Sequence, residues 1–111
     1  MEEDYITDII RVYEEDLQKV KQNGYSLQIV KEQTYELCLE AVKQYGWVLQ
    51  FVKEQTYELC LVAVKEYGYS LRYVKEQTYE FCLEAVKQNR RALEDVKDPL
   101  LKAQLKLELK L

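Results

Sequence analysis

The chain has 111 residues, 48% of them apolar and 32% charged, with three glycines, one proline and no histidine. That balance belongs to a folded domain long enough for its own core and excludes a disordered chain. So few glycines and prolines exclude an all-β fold with many turns, and no run approaches the roughly 18 apolar residues of a membrane span. The net charge of −4 is unevenly spread: −6 over residues 1–16, −1 over 17–86 and +3 over 87–111. A net acidic chain without clustered Lys and Arg is not expected to bind nucleic acid directly. The acidic start MEEDYITD is the opposite of a secretory leader and points to the cytoplasm.

In chain order, residues 4–23 read as a long capping helix, with Ile6, Ile9, Ile10, Tyr13, Leu17 and Val20 at helical spacing. Three units of 22 residues follow without a gap at 24–45, 46–67 and 68–89: GYSLQIVKEQTYELCLEAVKQY, GWVLQFVKEQTYELCLVAVKEY and GYSLRYVKEQTYEFCLEAVKQN. Fourteen of the 22 positions are the same in all three, so each unit is one structural layer. The second half of the repeat is already visible in the opening helix (Tyr13, Leu17, Val20, Lys21, Gly24), and a worn half-unit, RRALEDVKD, follows from Arg90. Worn ends around near-perfect inner units are what a stack needs for caps. The expected fold is all-α: one domain, 1–111, of stacked short helical hairpins, closed by a cap and tail over 90–111.

Within the middle unit, Thr56 is a natural N-cap and Glu58 suits the positive end of the helix dipole. The run Tyr57–Tyr67 places Tyr57, Leu59, Cys60, Leu61, Ala63, Val64 and Tyr67 on one wide apolar arc. Gly68 is expected to stop this helix in the left-handed conformation. A shorter helix, about Trp47 to Lys53, packs through Leu49 and Val52. From Leu101 to Leu111 apolar and polar residues alternate without exception, the period of a half-buried strand. Leu, Lys, Glu, Gln and Ala favour helix, but the alternation carries the reading here. A lone strand needs a partner, so a homodimer paired through residues 100–111 is expected.

The phrases TYELCLEAVKQYGWVLQFVK and TYEFCLEAVKQN resemble a helical repeat family catalogued only as a domain of unknown function, whose units carry an AVKQNG-like helix end followed by a leucine. The resemblance covers residues 12–97. It implies an all-α repeat fold in proteins of bacteria, phages and large viruses, and it implies no activity and no functional residues. At Tyr45 and Tyr67 the family's Asn is replaced by Tyr.

Candidate chemistry is sparse. Cys38, Cys60 and Cys82 share one repeat position, about 10 Å apart in a stack, too far for a disulfide or a shared metal ion; burial as small hydrophobes is expected. The recurring KEQT turns (Lys31–Thr34, Lys53–Thr56, Lys75–Thr78) are either a ladder gripping a linear partner or capped, solvated connections, and the second is favoured. Tyr35, Tyr57 and Tyr79 are expected in the core. Tyr25, Tyr45, Trp47, Tyr67 and Tyr69 straddle the glycine corners, where rings can line one edge as interface anchors. Val62, which replaces the Glu40 and Glu84 of the flanking units, extends that candidate patch. Without histidine, a Gly-rich phosphate loop or a spaced carboxylate pair, no catalytic, cofactor or metal site is expected. The sequence thus points to a non-catalytic scaffold whose aromatic edge meets a partner protein. The alternative is a small acidic inhibitor of phage or mobile-element type. It would block a host nucleic-acid-binding protein through Glu2, Glu3, Asp4, Asp8, Glu14, Glu15 and Asp16.

Overall fold

The structure, a computed structural model, describes residues 2–111, with side chains from Asp4 onward. It is all-helical among those residues. Five α-helices alternate with four short 3-10 helices: α1 (Glu2–Gln22), α2 (Tyr35–Gln44), α3 (Tyr57–Glu66), α4 (Tyr79–Gln88) and α5 (Pro99–Leu109), with 3-10 helices at Gly24–Ile29, Gly46–Phe51, Gly68–Tyr73 and Arg90–Asp95. Helices α2, α3 and α4 stack on one another in one row, and the 3-10 helices stack in a second row beside them. The result is a rod 62 × 22 × 16 Å. No described helix is long and apolar enough to cross a membrane.

The repeat becomes layers because each unit buries the same positions. Leu37, Cys38, Ala41 and Val42 of α2 are followed by Leu59, Cys60, Ala63 and Val64 of α3, then by Phe81, Cys82, Ala85 and Val86 of α4. Leu27, Leu49, Leu71 and Leu93 complete the core from the 3-10 row. Each long helix starts as its sequence requires: the hydroxyls of Thr34, Thr56 and Thr78 accept from the N–H groups of Leu37, Leu59 and Phe81 at 3.2 Å.

The layers are tied by a residue whose role the sequence conceals. The glutamine of each KEQT turn reaches into the next layer. Gln55 Nε2 donates to the Tyr73 carbonyl at 2.9 Å and the Leu49 carbonyl at 3.1 Å, while its Oε1 accepts from Lys75 N at 2.9 Å. Gln77 repeats the pattern with Asp95, Leu71 and Lys97, and Gln33 keeps the bonds to Phe51 and Lys53. The glutamines are therefore not available to grip a partner; the Lys and Glu beside them stay exposed. In the first layer Arg11 occupies the glutamine position, and Asp16, aligned with the cysteines, substitutes: its carboxylate accepts from Lys31 N at 3.0 Å. Asp16 is buried, so it is a structural acid and not part of an acidic surface. The side chains of Glu2 and Glu3, also counted in that surface, lie outside the described residues.

Four expectations need correction. The tail is not a strand: residues 99–109 form α5, and pairing between chains through a strand edge at 100–111 loses its basis. Asp98 caps the helix by accepting from Leu100 N, Pro99 stands in the first turn and Lys110 ends it with φ 57°. The alternation contains a helical subset, because Leu101, Leu105 and Leu109 recur every four residues and face the core, with Leu105 fully buried. Second, the shorter segments are six-residue 3-10 helices closed by i to i+3 bonds such as Val52 N to the Leu49 carbonyl at 3.1 Å.

Third, no glycine has positive φ. Tyr67 ends α3 in extended conformation (φ −140°, ψ 104°), and the glycines are there for room. A Cβ on Gly46 would stand 2.0 Å from Ser70 Oγ, and one on Gly68 2.5 Å from the Ala85 carbonyl oxygen. Fourth, Tyr35, Tyr57 and Tyr79 are not core: they are 49%, 50% and 40% exposed. At the first helical position the ring leans on the next layer, as Tyr57 does on Phe81 (5.5 Å between centroids). The Tyr57 hydroxyl meets the first-turn Glu80 of the next helix at 2.5 Å. Tyr13 meets Glu36 in the same way, and Tyr79 meets Glu108 of α5.

Candidate functional site

The aromatic edge is built from the corner where each long helix hands over to a 3-10 helix. At the first and last corners the capping residue is Asn23 or Asn89, whose Oδ1 accepts from the N–H two residues on at 3.0 Å. At the two middle corners Tyr45 and Tyr67 take that place and make no such bond. Losing an Asn cap costs about 1 kcal/mol, and ring pairing of about 0.5–1.5 kcal/mol per contact offsets it.

The rings form one connected row. Tyr25 stacks on Tyr45 at 5.1 Å and lies 6.1 Å from Trp47; Tyr45 stacks on Trp47 at 5.3 Å. Trp47 then meets Tyr69 at 5.8 Å, and Tyr69 meets Tyr67 at 5.5 Å. Tyr25 is exposed and the other four are half-buried, so the row shows ring edges to solvent while its faces are used internally. The Tyr67 hydroxyl lies 3.1 Å from both the Lys43 and Gln44 carbonyls, closing the end of α2 across layers. Burial pushes the Tyr69 hydroxyl up from its ordinary range, against a smaller opposing effect of the Gly46 backbone. Trp47 Nε1 is buried within the row and has no acceptor, a donor whose partner costs about 1–3 kcal/mol to forgo.

Five of the six residues that the sequence singles out are thus brought together. Val62 is not among them: it stands mid-helix on α3 and is half-buried. Helix geometry puts it about 7 Å along the axis and about 140° around from the Tyr67 corner. Sequence reasoning also missed the grooves between successive KEQT turns. One of about 370 Å³ includes Lys31, Glu32, Lys53 and Glu54 over Cys38, and its counterpart of about 380 Å³ includes Lys75 and Glu76 over Cys60. Their repetition every 22 residues was the available signal. All three thiols are buried and free. Burial pushes Cys60 and Cys82 up to about 11, and Cys38 upward as well, so at neutral pH none offers a thiolate.

The family model described as Domain of unknown function (DUF4116) matches the chain twice in tandem, over residues 34–78 and 56–101. The chain belongs to this family. Each DUF4116 match opens on an N-cap threonine, and the two are offset by one 22-residue layer. The DUF4116 region therefore holds Tyr45, Trp47, Tyr67 and Tyr69, while Tyr25, α1 and most of α5 lie outside it. Among curated proteins and solved structures, none matches the chain.

Proposed function

We propose that this chain is a non-catalytic interaction scaffold whose aromatic row docks a partner protein. The observation that carries the reading is the row itself: five rings from three successive layers in unbroken contact. At two of its corners Tyr stands where the outer corners carry a capping Asn. Tyrosine and tryptophan at an edge supply a large contact area with little conformational entropy to lose, which is why they dominate interface hot spots. A chain without histidine, whose cysteines stay protonated at neutral pH, lacks the usual means of activating a nucleophile.

The test is affinity capture with the wild-type chain and with a variant carrying alanine at Trp47, Tyr67 and Tyr69, its fold checked by circular dichroism. The partner should be lost with the rings. Because Trp47 is the sole tryptophan, its emission should also shift when the captured partner is added back to the wild type. Undiminished capture by a folded triple variant would refute the reading.

A further inference from the structure

Two apolar faces are left without cover, one near each end of the chain. The first is on α1. Its C-terminal half packs as the first layer, through Tyr13, Leu17 and Val20. The same face continues past the stack as Tyr5, Ile6, Ile9 and Ile10, which are 51–69% exposed. It lines a groove of about 620 Å³ between α1 and the turn at Lys31–Thr34, bordered by Tyr5, Ile9, Ile10 and Leu17. The second is on α5. The helix has an inner row (Leu101, Leu105, Leu109) and an outer face on which Leu100 and Leu107 are 81% and 82% exposed; Leu111, just past its end, is 39% exposed. Exposed large aliphatic side chains gathered on one face mark an interaction surface.

We infer that copies of this chain associate head to tail, the outer face of α5 of one copy seated in the α1 groove of the next. Charge selects this pairing over the two symmetric ones. Beside the groove, on the N-terminal part of α1, Asp4, Asp8, Glu14 and Glu15 are exposed and the one cation, Arg11, is tied to Asp8 at 3.0 Å, while Lys19 and Lys21 stand in the last turn, away from the uncovered stretch. On α5, Lys106 and Lys110 are exposed and hold no ion pair among the described residues, while Glu108 is engaged by Tyr79 and Gln104. Two copies of α1 would set acids against acids, and two copies of α5 lysines against lysines; α1 against α5 sets unlike charges side by side. The lengths are comparable as well: the stretch of α5 from Leu100 to Leu107 spans about 12 Å and the uncovered stretch of α1 from Tyr5 to Ile10 about 9 Å. The joint is heterologous, so a row of copies keeps one free face at each of its ends, and it either extends or closes into a ring.

The experiment is light scattering of the full chain from micromolar to millimolar concentration. The mass should climb above the 13.3 kDa of one chain and fall back in half-molar salt, where the screening length shrinks to about 4 Å. A variant with Ile9→Ser and Ile10→Ser, and a second with Leu107→Ser, should each remain single chains with unchanged circular dichroism, since all three residues are exposed. Mixed, the two should form a one-to-one pair and stop there, because one intact α5 meets one intact α1. A wild type that stays a single chain throughout would overturn the inference. So would assembly abolished by the substitutions on one helix but untouched by the substitution on the other, the mark of a symmetric joint.

Discussion

Replacing Gln55 with methionine tests the mechanism that couples the layers. Methionine keeps the length and unbranched shape of the side chain and removes its amide. Three N–H···O hydrogen bonds disappear, those to the Tyr73 and Leu49 carbonyls and the one from Lys75 N, together with a weak thiol bond from Cys60 Sγ at 3.8 Å. At about 1 kcal/mol net for each, the loss comes to about 3 kcal/mol, a large share of the 5–15 kcal/mol that holds a domain of this size. Gln33→Met removes two such bonds, to Phe51 and from Lys53, and should cost about 2 kcal/mol. Gln50→Met is the control: its one bond, to the Trp47 carbonyl at 3.0 Å, is exposed and local, so the loss should stay well under about 1 kcal/mol. Urea denaturation followed by Trp47 fluorescence gives all three values. A reduced slope in the Gln55 variant would add that the layers no longer unfold together. Equal losses for Gln55→Met and Gln50→Met would refute the reasoning, since the glutamine would then be one more solvated turn residue.

Two further outcomes follow from burial. Gly68→Ala should cost about 2 kcal/mol or more, because the new methyl meets a backbone carbonyl oxygen at 2.5 Å that cannot swing away; Gly24→Ala, whose nearest contact is 3.0 Å, should cost less than half of that in the same urea assay. Stability should also fall with alkali. The folded thiols of Cys60 and Cys82 ionise near 11 against an ordinary value of 9.0, so their contribution is intact below pH 9 and is lost as pH rises from 9 to 11. Tyr13, Tyr57 and Tyr79, raised first by their bonds to Glu36, Glu80 and Glu108, act in the same direction. The urea midpoint should drop between pH 9 and 11, and less so in a Cys60→Ala, Cys82→Ala variant; a level midpoint would mean that the thiols are not sealed in the core.

The repeat made the layers legible because identity at a 22-residue spacing is a statement about equivalence: Thr56, Cys60 and Leu59 had to do what Thr34, Cys38 and Leu37 do. It says nothing of what reaches from one layer into the next. In the sequence Gln55 reads as a solvated turn residue because its partners, the Tyr73 carbonyl and Lys75 N–H, are backbone groups 18 and 20 residues away, invisible to side-chain patterning. Tyr57 looked like core because an aromatic at the start of an apolar arc usually is, yet its hydroxyl finds Glu80 on the next layer. The tail misled for a different reason. A period of two contains every fourth residue, so Leu101, Leu105 and Leu109 serve a helix as well as a strand, and the Asp98–Pro99 start signal decides between them. The five rings were legible because substitution of the capping Asn by Tyr fell at two successive corners. That Trp47 would link the rows of two corners needed coordinates.

The contact between Tyr79 and Glu108 bears on how such chains change in size. Glu108 stands in the last turn of α5, yet it receives the tyrosine as the first-turn Glu80 of α4 receives Tyr57, so α5 supplies the acid that the helix of an inner layer supplies. It therefore asks of its neighbour only what every inner unit already offers. Duplicating 22 codons ahead of Arg90 would lengthen the rod without remodelling its terminus, and deleting them would shorten it. A chain with the 46–67 unit duplicated should therefore fold with α5 unchanged and carry a longer aromatic row.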